Sequence, residues 1–158
     1  MRNLYLMCGP AGAGKSTWIK KNMPNATVIS RDAIRFMLLK EEDDYFAHED
    51  FVLQVFYAEI QNAINSDRDE DIVVDATHLT PKARRAVLKQ LKNLDNINLG
   101  AISLEIDLTT CLTQNAQRTG RALVPNNIVI NMHKNYIIPT EKEGFNTIIH
   151  VRKENENE

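Results

Sequence analysis

The chain has 158 residues, 25% of them charged, and a formal net charge of −2 at pH 7, proportions that suit a single globular domain. The slightly acidic balance argues against a protein that coats nucleic acid non-specifically, while leaving open the binding of a short strand end. No apolar run approaches the ~20 residues of a membrane span, the N-terminus lacks a signal-peptide layout, and Cys8 and Cys111 form no disulfide or zinc framework. A cytoplasmic protein with no membrane partner is expected, built as one domain over residues 1–152 and ending in a disordered acidic tail, 153–158.

Leu4–Cys8 is the first apolar run, and Gly9-Pro10-Ala11-Gly12-Ala13-Gly14-Lys15-Ser16 follows it directly. This octapeptide fits G-x-x-x-x-G-K-[ST] in the context that the motif requires, a strand before it and a helix after it. Its glycines let successive N–H groups point at phosphate oxygens, and the helix N-terminus adds its positive end. ATP is the expected donor, held by Gly9 through Thr17. Lys15 would reach the β- and γ-phosphates, and the Ser16 hydroxyl would be a Mg2+ ligand. A plain glycine-rich turn would need neither the lysine nor this glycine spacing.

A helix over Lys15–Asn22 leads to a second strand, Thr27–Ser30, and then to Ser30-Arg31-Asp32-Ala33-Ile34-Arg35. A helix is predicted over Ala33–Leu39 with Asp32 as its N-cap. An Asp in this place can also face the phosphate loop and take the proton of an acceptor hydroxyl. Arg35, one turn on, falls on the same side and could grip an anionic part of the acceptor; a solvent-facing arginine is the plain alternative.

From Ala47 to Asn65 an apolar stripe of Val52, Val55, Phe56, Ile60, Ala63 and Ile64 marks another helix. Phe46, Phe51 and Phe56 could stack on bases, but helix packing is the expectation for all three. The third strand, Ile72–Asp75, ends on an acidic residue expected to act on Mg2+, directly or through a water. Thr77 and His78 follow on the acceptor side, with a plain turn histidine as the other reading of His78. Thr80 and Pro81 open a helix that carries Ala83, Val87, Leu91 and Leu94 on one side, with Arg84 and Arg85 expected in solvent. Leu99–Ile106 and Thr147–Val151 complete the strands; Cys111–Arg118 and Ile128–Tyr136 complete the helices. The segment Arg118–Pro125 suits a mobile lid in which Arg118 or Arg121 neutralises charge during transfer, or else an exposed basic loop.

Strand and helix alternate throughout. The expected class is therefore α/β: a P-loop NTPase fold with a five-stranded, mostly parallel sheet flanked by helices and a short arginine-bearing lid. Ligands of such sheets sit beyond the carboxyl ends of the strands, where all of these motifs fall.

The segments GPAGAGKSTW, SRDAIR, VVDATHLTPKARR and RTGRALVP, with the helix ending in Asn135-Tyr136, resemble the kinase domain of phage polynucleotide kinases and their adenylate-kinase-like relatives. That likeness runs over nearly the whole chain in the same order. It implies transfer of the γ-phosphate of ATP to the 5′-hydroxyl of a DNA or RNA end. It also implies Asp32 as general base, Arg35 as the grip on an acceptor phosphate, and a lid arginine on the donor phosphates. Three features depart from the pattern. The basic residues before Val124-Pro125 are spaced differently, Asp75 is offset by one position, and no phosphatase domain is expected after the fifth strand. A kinase for a small hydroxylated molecule (nucleoside, nucleotide-sugar or antibiotic) is the alternative, and a nucleotide-driven switch is a third reading. A homo-oligomer is left open.

Overall fold

Arg2–Cys8 forms β1, the middle strand of a five-stranded sheet with the order β2-β3-β1-β4-β5. The other strands are β2 (Thr27–Ser30), β3 (Ile72–Asp75), β4 (Ile97–Glu105) and β5 (Thr147–Arg152), and every ladder is parallel. The computed structural model describes residues 1–152; the tail expected over 153–158 lies outside the described residues. Near-continuous apolar runs read as strands covered on both faces, and both faces are covered.

On one face Leu4, Leu6 and Val74 meet Phe56 and Ile60 of α3 (Glu49–Asn65) and Val87 of α4 (Pro81–Leu88). On the other, Met7, Ile102 and Leu104 meet Ile19 of α1 (Lys15–Asn22), Cys111 of α5 (Leu108–Ala116) and Val129 of α6 (Asn126–Asn135). Phe56 is wholly buried, so truncating it to alanine would cost about 3–5 kcal/mol. Both cysteines are buried and free. Among the described residues no helix is long and apolar enough to cross a membrane.

The strand order places the reversal of winding at β1: β2 and β3 lie to one side of it, β4 and β5 to the other. The carboxyl end of β1 is therefore the crevice where such sheets take ligands, and Gly9 begins there.

Several element boundaries differ from the sequence-based expectation. The second helix, α2, spans Arg31–Leu38, and its N-cap is Ser30, whose hydroxyl accepts from the Ala33 amide at 3.2 Å. Asp32 is thus not the cap; it sits in the first helical turn with its carboxylate free for other partners. α4 ends at Leu88, so Leu91 and Leu94 pack on the core from beyond the helix. α5 starts earlier than expected because Asp107 caps it, accepting from the Thr110 amide at 3.1 Å. The helix ends at Ala116, so Arg118 falls outside it, in the segment expected as a lid.

Candidate active site

The phosphate loop is shaped by two glycines in particular. Gly12 has φ +82, and a Cβ there would stand 2.1 Å from the Cys111 carbonyl oxygen. Gly14, at φ +91, is the N-cap of α1. No side chain caps this helix and its first turn holds no acidic residue, so the orphan amides of that turn and the helix dipole stay free for an anion. Beyond the loop, the Gly9 amide donates to the Thr77 carbonyl at 2.9 Å, which ties the end of β1 to the turn after β3.

Lys15 folds back over the loop, its Nζ donating to the carbonyls of Gly9 (2.9 Å) and Pro10 (3.0 Å). Burial pulls its pKa below the ordinary lysine value, with Asp75 and Asp32 opposing. The Ser16 hydroxyl donates to Asp75 Oδ2 at 3.5 Å. Burial raises the Asp75 pKa, and the ammonium of Lys15 counters it. A desolvated carboxylate held loosely beside a hydroxyl and a strongly anionic ligand fits Mg2+, which keeps few protein ligands and takes the rest from phosphates and water. Among the described residues no three His, Cys, Asp or Glu side chains converge as a closed metal cage. Ser16 and Asp75 are the residues that would hold the ion.

Asp32 follows the end of β2, where Ser30 pairs with Asp75 of β3, and its charge is felt at both Lys15 and Asp75. Its Oδ1 accepts from Arg35 Nη1 and, at 2.6 Å, from the Tyr45 hydroxyl. Arg35 is 3% exposed, which excludes the solvent-facing alternative. Its Nε and Nη2 form a fork on Glu49 (3.1 and 2.6 Å), and Nη1 also meets the Tyr45 oxygen at 2.5 Å. Arg31 pairs with the same Glu49 carboxylate. Burial pushes the Glu49 pKa up, but the two guanidiniums outweigh it and hold the group below its ordinary value. Tyr45 and Glu49 were invisible as site residues in the sequence. Glu49 reads as an ordinary acidic first-turn residue, and Tyr45 lies in an aperiodic stretch.

The two lid arginines separate. Arg118 acts electrostatically on Lys15 and Asp75. Arg121, next to Gly120 in a single 3-10 turn, donates instead to the Lys40 carbonyl, across the cleft in the α2–α3 connection.

His78 follows the plain turn reading, and one further expectation, a solvated Arg84, is overturned. His78 is buried (4% exposed), its Nδ1 2.6 Å from the Met7 carbonyl, and burial pushes its pKa down to about 4. Its backbone is left-handed (φ 42), and its ring is packed against β1 at Met7. Thr77 is half-buried and offers its carbonyl to the loop. Arg84 is not in solvent but wholly buried, forked onto Glu143 (2.7 and 3.1 Å) and donating to the His78 carbonyl at 2.7 Å. Arg85 remains exposed. A groove of about 580 Å³ between α4 and residues 137–143 is lined by none of the phosphate-loop or Asp32 residues and stands apart from this site.

A family model described as an AAA domain (AAA_33) matches residues 4–137. The chain belongs to that family. No protein of curated function matches this AAA_33 domain. Among solved structures it is similar to a sugar kinase from Janibacter sp. HTCC2649 (14% identity, TM-score 0.62, 96% of this chain and 86% of that one). A fungal RNA kinase is similar over 99% of this chain and 77% of its own (14% identity, TM-score 0.61). A chain of the Pnkp1/Rnl/Hen1 RNA repair complex is similar over 85% of this chain and 43% of its own (15% identity, TM-score 0.68). At these identities the likeness concerns the fold, a phosphate-loop kinase fold.

Proposed function

We propose that this AAA_33 domain is an ATP-dependent polynucleotide 5′-hydroxyl kinase that transfers the γ-phosphate of ATP to the 5′-OH end of DNA or RNA. The observation that carries the reading is the carboxylate of Asp32, fixed through one oxygen by Arg35 and Tyr45 and close enough for its charge to act on Lys15. The acceptor oxygen attacks the γ-phosphorus in line, the bond to the β–γ bridging oxygen breaks, ADP leaves, and the hydroxyl proton passes to Asp32. Lys15 and the first-turn amides of α1 hold the triphosphate, and Arg118 answers the charge spreading over the transferred group. Mg2+, when bound at Ser16 and Asp75, supplies neutralisation of the phosphate oxygens.

Arg35 enters this reading in a changed role. With four of its five N–H donors on Glu49, Asp32 and Tyr45, it is assigned to positioning the base in place of gripping an acceptor phosphate. That occupancy favours a second reading, a kinase for a small hydroxylated molecule that carries no phosphate. Both readings are tested by incubating the chain with Mg2+, γ-labelled ATP and a panel of oligonucleotides, nucleosides and sugars. Label on 5′-hydroxyl oligonucleotide ends supports the first reading, and label confined to small acceptors supports the second. Asp32→Ala should lower transfer by about 10²–10⁴-fold while ATP affinity is retained; near wild-type turnover would remove Asp32 as the base.

A further inference from the structure

Two aromatic rings in the connection between α2 and α3 stand over Arg35. Its Cζ lies 4.1 Å from the Tyr45 ring centroid and 5.6 Å from that of Phe46. The rings meet edge to face with centroids 4.7 Å apart. Phe46 is nevertheless 67% exposed and packs with neither core cluster, so the packing expected of it from sequence is not what it does. Phe51 shares that departure at 53% exposed; Phe56 alone of the three is core. A large apolar ring left in water beside the guanidinium that holds Asp32 forgoes the stabilisation of burial, and an arriving ligand can restore it.

The acceptor side of the cleft therefore offers a carboxylate and an aromatic face, with no free guanidinium fork between them. We propose that Phe46, packed edge to face with Tyr45, is the stacking wall for the base of the nucleotide whose hydroxyl is phosphorylated. This inference rests on the polynucleotide reading above. In a nucleoside the 5′-oxygen and the base project from the same face of the sugar. A hydroxyl delivered to Asp32 can therefore bring its base to the segment whose Tyr45 hydroxyl binds that same carboxylate. Stacking on a ring face accepts every base, so the wall selects acceptors that carry a base, not a sequence. Alcohols that carry no base gain nothing from it.

The test is initial-rate kinetics of the full chain at saturating ATP and Mg2+, with a 5′-hydroxyl trinucleotide and the same trinucleotide made abasic at its first position. Removing the base should raise the wild-type KM about tenfold or more, and Phe46→Ala should raise KM for the intact trinucleotide by a similar factor. The two losses should not add: on the abasic acceptor, wild type and Phe46→Ala should converge. Phe46→Trp should restore the wild-type KM or better it. Equal effects of Phe46→Ala on both acceptors, or no rescue by tryptophan, would overturn the wall. Equal use of the intact and abasic trinucleotides by wild type would leave the polynucleotide reading standing and remove the wall alone. Labelling of base-free alcohols only would remove both. A dimer that Phe46→Ala dissociates would reassign the ring to contact with a second copy.

Discussion

The Tyr45 hydroxyl donates to Oδ1 of Asp32 at 2.6 Å, and the tyrosine ring lies over the guanidinium that grips the same oxygen. One side chain thus restrains both the proposed base and the arginine that orients it. Burial, followed by the hydrogen bond to Asp32 and then the charge of that carboxylate, raises the Tyr45 pKa, so the phenol stays protonated and remains the donor at neutral pH. Removing only its hydroxyl, in Tyr45→Phe, keeps the ring over Arg35. A hydrogen bond to a charged group contributes about 1.5–3 kcal/mol; with Asp32 partly in water, kcat should fall about tenfold. KM for ATP should hold. Steady-state kinetics beside a urea unfolding curve separate this from simple destabilisation.

The lid arginines should separate in kinetics as they do in space. Arg118, in the field of Lys15 and Asp75, is expected to act on the transferring group, and Arg118→Ala should lower kcat by about 10²–10³-fold. Arg121 docks on the Lys40 carbonyl. Its alanine variant should loosen lid closure, raising acceptor KM with kcat changed less than about tenfold. The reverse pattern would exchange the two roles.

Arg84→Ala strands Glu143, whose carboxylate is mostly buried in its ion pair, and leaves the His78 carbonyl without its donor. Breaking a buried pair from one side costs about 3–5 kcal/mol. The double variant Arg84→Met, Glu143→Gln removes both charges and should regain a large part of that loss in urea melts. No recovery would mean that packing, not charge, holds this corner.

His78 sets a pH dependence of stability. Burial lowers its pKa from 6.5 to about 4, so between those values the unfolded chain binds the proton that the folded one refuses. The folded-state value is depressed. Its stabilisation is therefore full above pH 6.5 and is lost as pH falls toward 4, by about 3 kcal/mol in all. His78→Asn keeps an N–H donor for Met7 and tolerates the left-handed backbone at φ 42. Its melting temperature should fall less than that of wild type over the same range; parallel curves would assign the acid loss to other groups.

Local rules carried much of this far without coordinates. Gly9 to Ser16 announce a phosphate cradle because that backbone path demands glycine at particular steps, as the 2.1 Å approach of a Gly12 Cβ to Cys111 illustrates. Apolar runs of the length of Ile72–Asp75 announce covered parallel strands, and Thr80-Pro81 marks a helix start by cap chemistry alone. Boundaries were less legible where two capping residues competed: Ser30 and Asp32 both suit a helix N-terminus, and only chain geometry selects Ser30.

Partners distant in sequence were beyond such rules. Arg84 and Arg35 look alike in the chain, as basic residues on short helices, and both were open to a solvent reading. Both are buried, because Glu143, 59 residues away, and Glu49, 14 away, meet them in the fold. Phe46 and Phe56 likewise share a residue type and a neighbourhood, yet one is bare and one is core. Periodicity and glycine spacing follow from covalent geometry, so the amino-acid order by itself determined the α/β class and the triphosphate cradle. Burial and charge pairing depend on which surfaces meet through space, so only the tertiary structure decided that Arg35 braces Asp32 and that Phe46 faces water.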